Sequence, residues 1–145
     1  MLVVFDLDGT LADLTHRLDY IRSVPKNWDA FHGNVGADKP IKEVMQMNYM
    51  HHDAGHIIVI CSGRSDSAKE DTIKWLEEHL VGYHELKMRK DGDYTPDDVL
   101  KESMLQDIVE KYGKKPDLVY DDRQRVVDMW RKHKIRTFQV AKGNF

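Results

Sequence analysis

Leu2-Val3-Val4-Phe5-Asp6-Leu7-Asp8-Gly9-Thr10 is the stretch on which the fold turns. Its apolar run has no polar alternation, the pattern of a strand buried on both faces. Gly9 supplies a backbone position free of side-chain clash where that strand breaks into a turn. Asp6 and Asp8 therefore stand at the carboxyl end of a core strand, where open α/β sheets collect their ligands. Aspartate and glycine also crowd into ordinary turns for local hydrogen-bonding reasons. Two carboxylates at one strand end repel each other, however, and are cheapest with a cation or a shared proton between them. A second acidic pair, Asp121-Asp122, follows another apolar run, Leu118-Val119-Tyr120. Two such pairs call for a hard divalent cation.

Outward from the first strand, the chain alternates predicted strands and helices. Leu14 to Arg22 reads as a short helix or flap. Ser23 to Asp38, with Pro25, Gly33 and Gly36, reads as an irregular loop pinned by Trp28 and Phe31, large enough only for a small lid. Pro40 opens a helix with Ile41, Val44, Met45, Met47 and Met50 inward, since proline is tolerated in a first turn. His56 to Cys61 is the second buried strand, and Ser67 to Leu80 the next helix, with Ile73, Trp75, Leu76 and Leu80 inward. Glu85 to Arg89 is a short third strand. Asp97-Asp98 caps a helix to Lys111 that buries Val99, Leu100, Met104, Ile108 and Val109. Asp117 to Tyr120, Gln124 to Lys132 and Arg136 to Val140 complete the series as strand, helix and strand. Strands alternating with helices predict a parallel α/β sheet with right-handed crossovers.

Composition sets outer bounds. With 145 residues, 41% apolar and 32% charged, the chain is sized for a single domain, residues 1–145, with one real core. No apolar stretch approaches the length of a membrane span, and no basic-then-apolar leader occurs, so no membrane partner is expected. A lone cysteine, Cys61, fits a reducing cytoplasm, and its apolar neighbours mark it as a buried structural thiol. A net charge of −3 argues against a large surface that neutralises duplex phosphates, yet leaves room for a strand end. His51, His52 and His56 lack acidic or cysteine partners at metal-ligand spacing and read as a helix terminus.

Further polar groups fall at strand ends or helix starts. Ser62-Gly63-Arg64 follows the second strand at once, and a strand end, a small turn and a helix start together make an anion site from backbone N–H groups. Ser62 adds a hydroxyl, and Arg64 a forked donor suited to phosphate. Lys101 reads locally as an exposed helix lysine, within pairing distance of Asp97 four residues earlier. In a parallel sheet all strand ends share one edge. Asp6, Asp8, Ser62, Lys101, Asp121 and Asp122 can therefore converge, with carboxylates holding Mg²⁺ and serine and lysine holding phosphoryl oxygens.

FDLDGT, CSGR, Lys101 and YDDR resemble, in this order, the four motifs of the haloacid dehalogenase superfamily of phosphohydrolases. The chain is similar from end to end to the 3′-phosphatase domain of bacteriophage polynucleotide kinase/phosphatase, through SGRSDSAKEDT, GDYTPDDVLKESML and YDDRQRVVDMWRKHKIRTFQVAKGNF. No GxxxxGK[ST] motif occurs, so 5′-kinase activity is not expected of these residues. The resemblance implies a three-layer Rossmann-like fold with a minimal cap. It also implies a Mg²⁺-dependent polynucleotide 3′-phosphatase in nucleic-acid end repair, working through an aspartyl-phosphate. It makes Asp6 the nucleophile and Asp8 the general acid and then base, with Thr10 orienting Asp8. Ser62 and Lys101 bind the phosphoryl group, with Gly63 in the same substrate loop. Asp121 and Asp122 hold Mg²⁺ together with Asp6 and Asp8. Arg17 and Arg64 meet phosphates, and Asp97 positions Lys101. The substrates implied are 3′-phosphorylated DNA or RNA ends or 3′-nucleotides, with a separate kinase or ligase as partner. Two rivals stand beside this reading: a phosphatase of 5′-nucleotides or small esters, and a silent module that only binds nucleic-acid ends or a partner. The chemistry adds one expectation: Asp8 needs a raised pKa to act as an acid, while Asp6 stays ionised beside the metal.

Overall fold

Val3 and Phe5 face one way from the first strand and Leu2 and Val4 the other, and that alternation divides the molecule into layers. The computed structural model describes residues 1–145. Its strands are β1 (Leu2–Phe5), β2 (Ala12–Asp13), β3 (Lys39–Pro40), β4 (Ile57–Ser65), β5 (Glu85–Arg89), β6 (Leu118–Asp121) and β7 (Thr137–Gln139). The helices are α1 (Leu18–Arg22), α2 (Trp28–Gly33), α3 (Lys42–Asp53), α4 (Lys69–Glu78), α5 (Asp97–Tyr112) and α6 (Gln124–Lys132). The central sheet has the order β5-β4-β1-β6-β7, and every pairing in it is parallel. Val3, Phe5, Ile58 and Ile60 pack with Val44 and Met45 of α3 and Trp75 and Leu76 of α4. Leu2, Val4, Val59 and Cys61 pack on the opposite face with Leu100, Met104 and Ile108 of α5 and Val126, Met129 and Trp130 of α6. The result is the helix–sheet–helix α/β architecture expected from the alternation of strands and helices.

Between β2 and β3, which pair antiparallel, the chain makes a small excursion. α1 and α2 fold over it on their own cluster of Leu14, Leu18 and Phe31, with Ile21 and Phe145 at its margin. This is the minimal cap. The stretch read as an irregular loop thus contains a helix, α2, capped by the Asn27 side chain, which accepts from the Ala30 N–H at 3.0 Å. Six residues are too few to show a helical period.

Several boundaries differ from expectation for identifiable reasons. Pro40 lies in the edge strand β3 rather than opening α3, an edge position where its missing N–H costs no ladder bond. In α3 the inward polar residue is Asn48, which donates to Gly82 O and accepts from the Gly82 N–H, whereas Met50 points outward. β4 does not end at Cys61 but continues through Ser62, Gly63 and Arg64 to Ser65, with a shift of register against β5. A 3₁₀ turn, Asp66–Ala68, then precedes α4, so the expected turn into a helix at Ser62 is absent. Leu80 is exposed past the end of α4, at φ +56°. Val99 and Val109 lie on the outer face of α5, and Lys101 takes an inner place. Asp97 and Asp98 lie in the first turn of α5, whose N-cap is Pro96.

Candidate active site

β1 and β6 are neighbours in parallel register, so Asp6, just beyond β1, and Asp121, the last residue of β6, come out side by side. Asp122 is the next residue along. Carboxylate oxygens of Asp6, Asp121 and Asp122 lie within 4.8 Å of one another, and all three residues are buried. Lys101 reaches this cluster from α5, its Nζ donating to Asp6 Oδ1 at 2.7 Å and to Asp121 Oδ2 at 3.0 Å. The lysine read locally as a surface residue is 3% exposed. Burial works against its charge, but Asp121 and Asp6 more than offset that and hold its pKa above the ordinary lysine range.

Three carboxylates face one ammonium, so with all three ionised the cluster would carry two excess negative charges, which one divalent cation would balance. The local chemistry fits such an ion. Asp122 Oδ2 is buried without any hydrogen-bond partner, and orphaned buried acceptors are rare unless an ion or water claims them. Burial first, then the neighbouring Asp121 charge, pushes the Asp6 pKa well up; the Asp122 carboxyl is pushed up chiefly by burial. Gly9 makes the close approach feasible. Its φ is +81°, and a Cβ there would lie 2.1 Å from Asp122 Oδ2. Asp6, Asp121 and Asp122 would hold the ion.

Asp8, two residues on, faces a different environment. Arg64 donates to its carboxylate from Nε at 3.1 Å and from Nη2 at 2.7 Å, and Arg17 from Nη2 at 2.8 Å. Asp38 closes the arrangement, accepting from Arg17 Nε and Nη2 and from Arg64 Nη2, each at 2.7 Å. Burial raises the Asp8 pKa, but Arg64 and then Arg17 outweigh it, so the carboxyl lies below its ordinary value. Two expectations for Asp8 need correction here. Its side chain is not in the metal-type cluster, and its pKa is lowered rather than raised. The raised pKa of Asp6 belongs to the site without an ion, whereas its ionised state is expected beside the metal.

The remaining residues sort by partner. The Thr10 hydroxyl donates to Asp6 Oδ2 at 3.0 Å and lies 3.5 Å from Asp122 Oδ1, so it supports Asp6 rather than Asp8. Arg17 and Arg64, expected to meet phosphates, are 0% and 1% exposed and spend their donors on Asp8, Asp38, the Phe31 carbonyl and Thr72. Ser62 is fully buried, its Oγ accepting from the Arg64 N–H at 3.1 Å. The Gly63 carbonyl accepts from Arg89 Nε at 2.9 Å. Asp97 does not pair with Lys101. It accepts from Arg89 Nη2 at 2.5 Å and from Arg123 Nη1, and so ties β5 to the loop after β6. Asp38, Arg89 and Arg123 are contributors that sequence reasoning missed.

Asp6, Asp8, Gly63, Arg64, Asp97, Lys101, Asp121 and Asp122 line one cleft of about 570 Å³ that opens beneath the cap. The size is that of a small-ligand site. Against this geometry the comparisons with known proteins are decisive. A family model for the polynucleotide kinase PNKP phosphatase domain matches residues 1–145.

The chain belongs to that family.

That family has the phosphatase fold of the haloacid dehalogenase superfamily, as the four motifs implied. The PNKP-type chain is 33% identical over 144 residues to a putative bifunctional polynucleotide kinase/RNA ligase of Autographa californica nuclear polyhedrosis virus. That match covers 97% of this chain and 19% of the viral protein. Among solved structures it is similar to a chain of the Pnkp1/Rnl/Hen1 RNA repair complex, at a TM-score of 0.83 and 31% identity, covering 99% of this chain and 43% of that one. A class C acid phosphatase from Bacillus anthracis shares the fold at a TM-score of 0.72 and 16% identity, over 99% of this chain and 67% of its own. The chain thus spans about a fifth of its curated viral relative and less than half of the repair-complex chain. No helix is long and apolar enough to cross a membrane.

Proposed function

We propose that residues 1–145 act as one Mg²⁺-dependent phosphatase unit that removes 3′-terminal phosphates from nucleic-acid ends. The observation that carries this reading is the buried Asp6–Asp121–Asp122 cluster with Lys101, in a chain matched over its whole length by the PNKP phosphatase-domain family. The viral relative and the RNA repair complex support nucleic acid as the substrate class, and the complex supports a separate kinase or ligase as partner.

Asp6, Asp121 and Asp122 would hold the cation, which when bound would neutralise charge on the phosphoryl oxygens. Lys101 adds a positive charge against the same oxygens, while the buried Ser62 hydroxyl holds the Arg64 N–H behind them. A carboxylate oxygen of Asp6 attacks phosphorus as the bond to the ribose 3′ oxygen breaks, and Thr10 fixes the plane of the attacking group. Asp8 gives its proton to the leaving oxygen. It then takes one from the water that attacks the phosphorus and frees Asp6. Arg17 and Arg64 hold Asp8 ionised in the free protein. Its proton therefore comes with the substrate, whose own negative charge offsets the two arginines. General acid help of this kind is worth roughly a hundredfold to ten-thousandfold.

The test compares phosphate release from a 3′-phosphorylated oligonucleotide, the 5′-phosphorylated one and p-nitrophenyl phosphate, with and without Mg²⁺. Mg²⁺-dependent preference for the 3′ end is expected. Preference for the 5′ end or the small ester points to a mononucleotide or general phosphatase. No turnover of any substrate points to a binding module.

A further inference from the structure

Away from the carboxylates, the cleft has a wall of another kind. Trp28, the first residue of α2, is 44% exposed, whereas the other two tryptophans, Trp75 and Trp130, are 1% and 0% exposed. Its indole is not loose. The His32 ring lies 6.0 Å away and nearly parallel, at 22°, and Phe31 packs edge-on at 5.7 Å. The Lys26 ammonium sits 5.6 Å from the indole centroid. Lys26, Trp28 and His32 line the same cleft as Asp6 and Lys101. A large aromatic side chain held in place and half open on the wall of a ligand cleft offers a flat apolar face to whatever fills that cleft.

We propose that Trp28 is a stacking platform for a nucleobase of the substrate strand, with Lys26 beside it to meet a backbone phosphate. The inference rests on the 3′-phosphatase reading and adds to it the means by which the cap holds the strand. A base suits this wall because every base has an apolar face and stacking needs no convergent donors. Stacking also does not depend on charge, which suits a rim that carries Asp29, Asp91 and Asp93 as well. The flexible lysine stem can leave the indole face and follow a phosphate as the base arrives. A small phosphate ester would reach the carboxylates without touching α2.

The test is the ratio of kcat/KM on a 3′-phosphorylated oligonucleotide to kcat/KM on β-glycerophosphate, which has a secondary alcohol leaving group and no ring. Trp28→Ala should lower that ratio about tenfold to a hundredfold, mainly through the oligonucleotide KM, and Trp28→Phe should restore most of it. An equal loss on both substrates, or no loss on either, overturns the proposal. Binding gives a readout free of turnover. In Asp6→Asn protein, oligonucleotide should quench the part of the tryptophan emission that comes from Trp28, the one exposed indole. The added Trp28→Phe substitution should abolish that quenching. Should the wild type hydrolyse β-glycerophosphate but no 3′-phosphorylated end, the phosphatase assignment to strand ends fails while the quenching still decides the role of Trp28. Absence of quenching overturns that role.

Discussion

Asp6 and Asp8 have a single residue between them in sequence, yet they stand in opposite electrostatic surroundings. Asp6 turns toward Asp121, Asp122 and Lys101, where negative charge is in excess. Asp8 turns toward Arg17 and Arg64, backed by Asp38. The first carboxyl is pushed up by burial and its acidic neighbours; the second is held down by two guanidinium groups. Side-chain type sets neither behaviour. The break of the chain at the end of β1 sends the two groups into different company, and in the proposed mechanism that separation lets one turn serve two chemical roles.

The sharpest way to break the contrast is to remove the cation on the Asp6 side. Lys101→Met leaves Asp6 and Asp121 buried without a counter-charge. It should cut phosphate release at least about a thousandfold and, by denaturant unfolding without metal, cost about 3–5 kcal/mol. On the other side, Asp38→Ala leaves Arg17 and Arg64 short of their shared partner. A stability loss of about 3–5 kcal/mol is expected. The limb of the pH–rate profile set by Asp8 should move with it, because Asp8 would lose the frame that fixes its arginines.

Acidity offers a gentler probe, since the two sides have opposite signs. Asp6 and Asp122 have folded pKa values above the ordinary 3.8. Their contribution to metal-free stability is present below that value and is lost as pH rises through the raised folded values. Asp8 is depressed, so its contribution is present above 3.8 and is lost as pH falls through its lower folded value. Thermal melts in a chelator should therefore decline in Tm as pH rises above the ordinary aspartate range, and saturating Mg²⁺ should flatten that decline. The smallest effect belongs to Thr10→Val, which deletes the hydroxyl donor to Asp6. About 1 kcal/mol of stability is expected to go, with the Asp8-dependent limb of the pH profile left in place.

Much of this was legible in the residues. Unbroken apolar runs marked β1, β4 and β6, and the residues just past each run named the site edge. Lys101 became visible through the four motifs rather than by local pattern, because a lysine on α5 betrays its burial only when the two aspartates it meets are known. Asp38 left a fainter trace. Nothing local distinguishes one aspartate at the end of a polar loop, and the two arginines it pairs with were both assigned to substrate phosphate, Arg64 from its fork and Arg17 through the family resemblance. The Asp97 misreading has the same origin. Four-residue spacing allowed a pair with Lys101, while the register of β5 against β4 brought Arg89 within reach instead. Long-range pairing of charges, set by strand register, is what a sequence hides best.

The claim on which the account stands is that Asp6, and not Asp8, takes the phosphoryl group. The direct measurement is acid quench of the protein during turnover of a 3′-phosphorylated oligonucleotide with Mg²⁺, followed by fragmentation mass spectrometry of the peptide that carries both aspartates. Phosphate on Asp6, absent from the Asp6→Asn variant, is the predicted result. Phosphate on Asp8, or undiminished turnover by Asp6→Asn, would contradict it.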